Sequence, residues 1–363
     1  LDATLGELAA RGVRPLPLAG APPVPGAAIA VVGAPATGIP PEQAYLRLGS
    51  CALGAPVTVI ERQWMWHETY RNTCPDISAG SSGSPVLAAG SGEVLAVINT
   101  TTQGSAGLTD CYLGRPCEVG VAGYRVSEGT NYGNGVLGLR ACFDAAGRFA
   151  LDGAGCPLDR GRQPTLGGYK SASRPVRQDA AGQLGPVTWG ITLGGGDWTH
   201  YRYKIGAVGG TDCRDLAGYG QPLGLAARPT IDDPVPQAEG FYVACILGGP
   251  GPDTTAGSWQ EARFASFMPL KIDTTPPRGT PRVQVGALAG SYTIEPIFDP
   301  PEYSAFSLKY GPAASTDCAD PAGYLPYRRI PIRVAAGQVP LVVCVIGYDE
   351  ADNAAPPRVV PVP

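Results

Sequence analysis

Gly80-Ser81-Ser82-Gly83-Ser84-Pro85-Val86 is the stretch on which the fold of this chain turns. Small residues on both sides of Ser82 let the backbone turn tightly and aim two amide N–H groups at one point, an arrangement suited to a nucleophilic serine. The same composition also suits an ordinary turn or a flexible linker. Downstream, Pro85-Val86-Leu87, a turn at Gly92-Glu93, and Val94-Leu95-Ala96-Val97-Ile98-Asn99 read as strand, turn and strand. Upstream, Ile29-Ala30-Val31-Val32-Gly33, inside residues 25–35, reads as a further strand.

Together these segments resemble the chymotrypsin-like serine proteases, whose nucleophile sits in G-[D/N/S]-S-G-[G/S]-P. Leu1-Asp2-Ala3-Thr4-Leu5-Gly6-Glu7-Leu8 resembles the strand that carries the family's triad aspartate. The resemblance implies Ser82 as nucleophile, Asp2 as the aspartate, and the amides of Gly80 and Ser82 as the oxyanion hole. It implies an acyl-enzyme endopeptidase acting on protein or peptide substrates without a cofactor. The family's histidine precedes its aspartate in a T-A-A-H-C-like segment. Here the histidines are His67 and His200, neither in that context, and both read as strand residues. The expectation is therefore a chain that begins inside the protease domain and is silent by itself, its first barrel lying upstream. A protease-derived extracellular binding or adhesion protein is the alternative.

In the resembling enzymes the position six residues before the nucleophile, here Asp76, carries the carboxylate of trypsin-like specificity pockets. Asp76 reads either as that basic-side-chain receptor or as a structural partner of the nucleophile loop. The strand after the hairpin, Asn99-Thr100-Thr101, is the expected substrate wall. Glutamyl endopeptidases, which share G-S-S-G-S-P, use a histidine in that region, and none stands here.

Composition sets the wider bounds. With 44% hydrophobic and 16% charged residues the chain can bury sizeable cores, and 51 Gly plus 38 Pro among short apolar runs favour a turn-rich all-β protein. No run approaches the ~18 apolar residues of a membrane span. A net charge of −4 without a basic cluster argues against nucleic acid. Ten cysteines, no C-x-x-C and only two histidines favour disulfides over zinc, hence an exported protein, secreted to an extracellular or periplasmic space. Pairing of neighbours gives Cys51–Cys74, Cys111–Cys117, Cys142–Cys156, Cys213–Cys245 and Cys318–Cys344.

The last two couples lie in an internal repeat. Tyr203-Lys204-Ile205-Gly206, Thr211-Asp212-Cys213 and Ala217-Gly218-Tyr219 return as Leu308-Lys309-Tyr310-Gly311, Thr316-Asp317-Cys318 and Ala322-Gly323-Tyr324. Such β-rich units resemble immunoglobulin-like or fibronectin-type sandwiches. The expected fold is the second barrel of a chymotrypsin-like double β-barrel over residues 1–130, then a connector with a terminal helix over 131–175. Two β-sandwich modules follow, over 176–275 and 276–363, as candidates for holding a cell-surface or extracellular partner. Asp349-Glu350-Ala351-Asp352-Asn353 reads as a solvated turn rather than a Ca²⁺ loop, because the spaced oxygen ligands of an EF-hand are missing.

Overall fold

Short apolar runs broken by glycine and proline give strands joined by turns. A computed structural model describes residues 5–36, 39–43, 45–144, 147–151, 153, 155, 156, 158, 164–179, 181–194, 198–254, 259–298 and 302–362. Among these the protein is all-β, save for a six-residue helix, Leu5–Ala10, and short 3-10 segments. The chain divides into two compact units, Leu1–Gln163 with Gln260–Ala265, and Pro164–Trp259 with Ser266–Pro363.

The first unit is built on β1 (Ala28–Gly33), β2 (Arg47–Glu61), β3 (Trp64–Asn72), β4 (Pro85–Ala88), β5 (Val94–Thr101), β6 (Cys117–Gly120), β7 (Gly123–Val126) and β8 (Asn131–Gly135). Strand β1 pairs with both β2 and β4, so the order β1-β2-β3-β8-β5-β4 closes on itself as a six-stranded antiparallel barrel. Closure removes the free edges that would invite aggregation. The β6–β7 hairpin adds to β2 from outside the ring. Alternate residues point inward, and Ile29, Val31, Leu53, Val86, Leu95 and Ile98 fill the barrel.

Two expected boundaries shift. Asn131–Gly135, assigned from sequence to the connector, is the sixth barrel strand, paired between β3 and β5. The helix expected at the end of the barrel is a 3-10 segment, Leu137–Cys142, in which Gly138 weakens the preference for α-helix. The next unit starts before residue 176, since Thr165–Gly167 and Ala172–Ser173 already pair with its strands. All ten cysteines pair as neighbours. Such bridges belong to oxidising compartments. No helix among the described residues is long and apolar enough to cross a membrane.

Each half of the second unit is a β-sandwich of two sheets over one core. In the first, Ile191 and Ile231 from one sheet meet Ile246 and Leu270 from the other around Trp189, which is 2% exposed. In the second, Ile294 and Val334 face Phe306, Val343 and Val360. The repeated sequence is a loop lock. Lys204 Nζ donates to the carbonyls of Asp215 and Ala217, at 2.7 and 2.8 Å, and lies over the Tyr219 ring, whose hydroxyl donates to Cys213 O. Lys309 repeats this with Asp320, Ala322, Tyr324 and Cys318. The acidic run forms a hydrogen-bonded turn, in which Asp349 Oδ1 accepts the amides of Ala351 and Asn353.

Candidate active site

The serine loop turns where glycine permits it. Gly80 has φ +103°, and a Cβ there would stand 2.7 Å from the backbone nitrogen of Ala36, so no side chain fits. At the end of β1, a Cβ on Gly33 would stand 2.7 Å from Ser84 Oγ, which lets the loop lie directly on the strand. The buried serines anchor the turn. Ser81 N–H donates to Ser78 O and Ser84 N–H to Ser81 O, while Gly83 N–H donates to Ile98 O and Ile98 N–H to Ser84 O.

Ser82 is left projecting between these anchors. It is exposed, and its Oγ donates to Asn99 O at 3.2 Å. The amides of Gly80 and Ser82 donate to no protein acceptor among the described residues. Ser82 borders a cleft of about 610 Å³ walled by Trp64 and Trp66 of β3, by Asn99, Thr100 and Thr101 of β5, and by the loop that carries Leu108 and Leu113. Sequence and structure thus bring Ser82, Asn99, Thr100 and Thr101 to one place. Among the described residues Asn99 Nδ2 is buried there without a hydrogen-bond partner, a donor left for something that enters the cleft. Thr101 is fixed by a 2.7 Å bond to Asn131 Oδ1.

Asp76 is a correction. Its backbone adopts φ +59°, its side chain is 52% exposed, and it faces Arg47 at 3.4 Å, outside the cleft. Six residues along the chain do not reach the pocket, because the turn at Asp76 sends the carboxylate outward. Asp2 lies outside the described residues. His67, on β3, has Nδ1 3.1 Å from Thr58 Oγ1, and His200 begins a strand of the first sandwich. No histidine is among the cleft-lining residues.

Glu61 is the cleft residue that sequence reasoning missed. It ends β2, is 4% exposed, and its Oε1 accepts the Gly114 amide at 2.5 Å. Burial pushes its carboxyl above the ordinary carboxylate value, while hydrogen bonds from Gly114 and Thr100 pull the other way. It forms no ion pair among the described residues. The signal for it was Val59-Ile60-Glu61, where the acid continues a buried run instead of ending it.

Chemically, an exposed hydroxyl beside unused amide donors and an apolar cleft can receive an acyl group and hold the negative charge that develops on its oxygen. Attack requires a base for the Oγ proton. No family model matches the chain, and no curated protein matches it in sequence. Among solved structures, the FN1-FN3 domains of chicken CNTN1 align over 96% of this chain and 99% of that chain, at 11% identity and a TM-score of 0.28.

Proposed function

We propose that the first unit is the nucleophile-bearing barrel of a secreted chymotrypsin-like serine endopeptidase. In this reading Ser82 forms the acyl-enzyme, the amides of Gly80 and Ser82 hold the oxyanion, and Asp2 orients the histidine that takes the Oγ proton. The observation that carries it is the exposed Ser82 between two unengaged amides, at the edge of the one cleft that Asn99, Thr100 and Thr101 also line. The closed barrel order supports it, as do the five disulfides, which suit an exported enzyme. In this reading the base is a histidine that the cleft lining does not itself supply. The substrate is a protein or peptide. The sandwich modules, immunoglobulin- or fibronectin-like in this reading, hold the enzyme near an extracellular or cell-surface partner.

The cleft's lack of a histidine also favours a second reading, a protease-derived extracellular binding protein. Labelling with a fluorophosphonate separates the two. The protein purified from its natural source is expected to label at Ser82, mapped by peptide mass spectrometry, and Ser82→Ala to abolish the signal. The 363-residue chain alone is expected to stay unlabelled. A natural protein that does not react would overturn the enzyme reading in favour of the scaffold.

A further inference from the structure

We infer that Glu61 makes the cleft beside Ser82 a receptor for a cationic side chain, the lysine or arginine of a bound peptide. The identification of that peptide as a substrate rests on the proposed function; the cation site itself rests on the geometry of the cleft.

Glu61 is a carboxylate already taken out of water, 4% exposed, at the wall of a cleft of about 610 Å³. Its own partners are neutral donors, the Gly114 amide and the Thr100 hydroxyl, which hold it in place without cancelling its charge. The nearest cations along the chain are engaged elsewhere. Arg62 stacks on the Tyr112 ring at 5.2 Å, and Arg115 pairs with Asp110 at 2.7 Å and with Glu128. A buried ion pair normally struggles against the desolvation of both partners. Here the anion's share is met when the protein folds, and an incoming cation brings only its own.

The rest of the cleft suits the rest of such a side chain. Trp64 and Trp66 stack at 6.3 Å with 19° between their planes, and Leu108 and Leu113 also line the cleft. These surfaces accept the aliphatic stem of lysine or arginine, and the indole faces attract its charge. Asn99 Nδ2, buried without a partner among the described residues, offers a hydrogen bond to a peptide carbonyl on the way in. Asp76, the carboxylate that chain spacing would nominate, is paired with Arg47 outside the cleft.

The test is a binding titration of the 363-residue chain, read by tryptophan fluorescence, with benzamidinium, benzamide and benzoate as cationic, neutral and anionic ligands of one shape. Benzamidinium is expected to bind at least about tenfold more tightly than benzamide, the size of one charge-assisted hydrogen bond. Glu61→Gln should erase that preference, Glu61→Asp should weaken it while keeping its sign, and Asp76→Asn, outside the cleft, should leave it untouched. Equal affinity for the three ligands, tightest binding of benzoate, or a preference that survives Glu61→Gln would overturn the inference. The wild-type series decides even if a variant fails to fold. Because the wild-type ligand series does not depend on acylation, a cation site that persists while fluorophosphonate labelling of the natural protein fails would sink the protease reading alone.

Discussion

The barrel and the sandwich modules use their polar groups in opposite ways. In the modules the polar residues that recur in the sequence are spent on one another: Lys204 and Lys309 each close a loop through two carbonyls, and Tyr219 and Tyr324 each tie the cystine backbone. Around Ser82 the polar groups occur once, and among the described residues the amides of Gly80 and Ser82 and Asn99 Nδ2 find no partner, while the Glu61 carboxylate meets only neutral donors. A repeated polar motif that is fully satisfied holds a fold. A single polar cluster with unused bonds around a cavity is arranged for something else to complete it.

If that contrast holds, damage to a lock should cost stability and spare the cleft. The largest effect is expected from a module cystine. Cys213–Cys245 closes 32 residues and Cys318–Cys344 closes 26, so replacing either pair by alanine should lower stability by about 3.5 kcal/mol from loop entropy alone. Cys111–Cys117, which closes 6, should cost nearer ~2 kcal/mol on the same scale. Urea unfolding would measure all three. A module variant that altered ligand binding in the cleft as much as its own stability would break the contrast.

Next comes Gly80→Ala. The new methyl meets Ala36, and alanine must adopt φ +103°, a strain of roughly 1–3 kcal/mol. Since relief means moving the amide that flanks Ser82, labelling of the natural protein should fall by at least tenfold while the module locks stay intact. Near-normal labelling would show that the Gly80 amide is not in use.

A smaller effect separates the two locks. Lys204→Met and Lys309→Met keep most of the stem and lose two hydrogen bonds and a ring contact, so each should cost about 1–3 kcal/mol. Nearly equal costs are expected, because the two loops make the same two hydrogen bonds at nearly the same lengths, and the 3.6 Å pair of Lys309 with the exposed Asp320 adds little. Unequal melting shifts would mean that the repeat is one of sequence more than of energetics.

These locks also show what was legible beforehand. The cystine pairs could be read because each couple brackets one local loop, and the serine turn because only small residues tolerate its backbone. Asn131-Tyr132-Gly133-Asn134-Gly135 hid its strand, having no apolar alternation. Its burial comes from closing the barrel between β3 and β5, a tertiary fact. Asp76 misled because distance along a chain is not direction, and one left-handed residue turned it toward Arg47. Glu61 was hidden by a reasonable habit, that an acid ending a strand faces water. What buries it is the loop carrying Gly114, folded back over the end of β2.

The subtlest difference between the regions lies in two carboxylates, Glu61 buried and Asp349 half-buried. Burial raises both Glu61 and Asp349, but Asp349 accepts the amides of Ala351 and Asn353 and the Asn353 side chain, whereas Glu61 faces a cleft. A folded value above the unfolded one means that the folded protein keeps a proton the unfolded chain has already released. Stability from Glu61 is then present at low pH, declines as pH rises from the ordinary carboxylate value through the raised one, and is lost above it. Glu61→Gln should remove that slope and raise the melting temperature at neutral pH, a gain that vanishes toward pH 4. Asp349→Asn should instead lower stability, by about 1 kcal/mol, because an amide replaces the carboxylate oxygen that Asn353 Nδ2 needs. Opposite signs at neutral pH would mark one carboxylate as held for a ligand and the other for the fold; matching signs would erase the distinction.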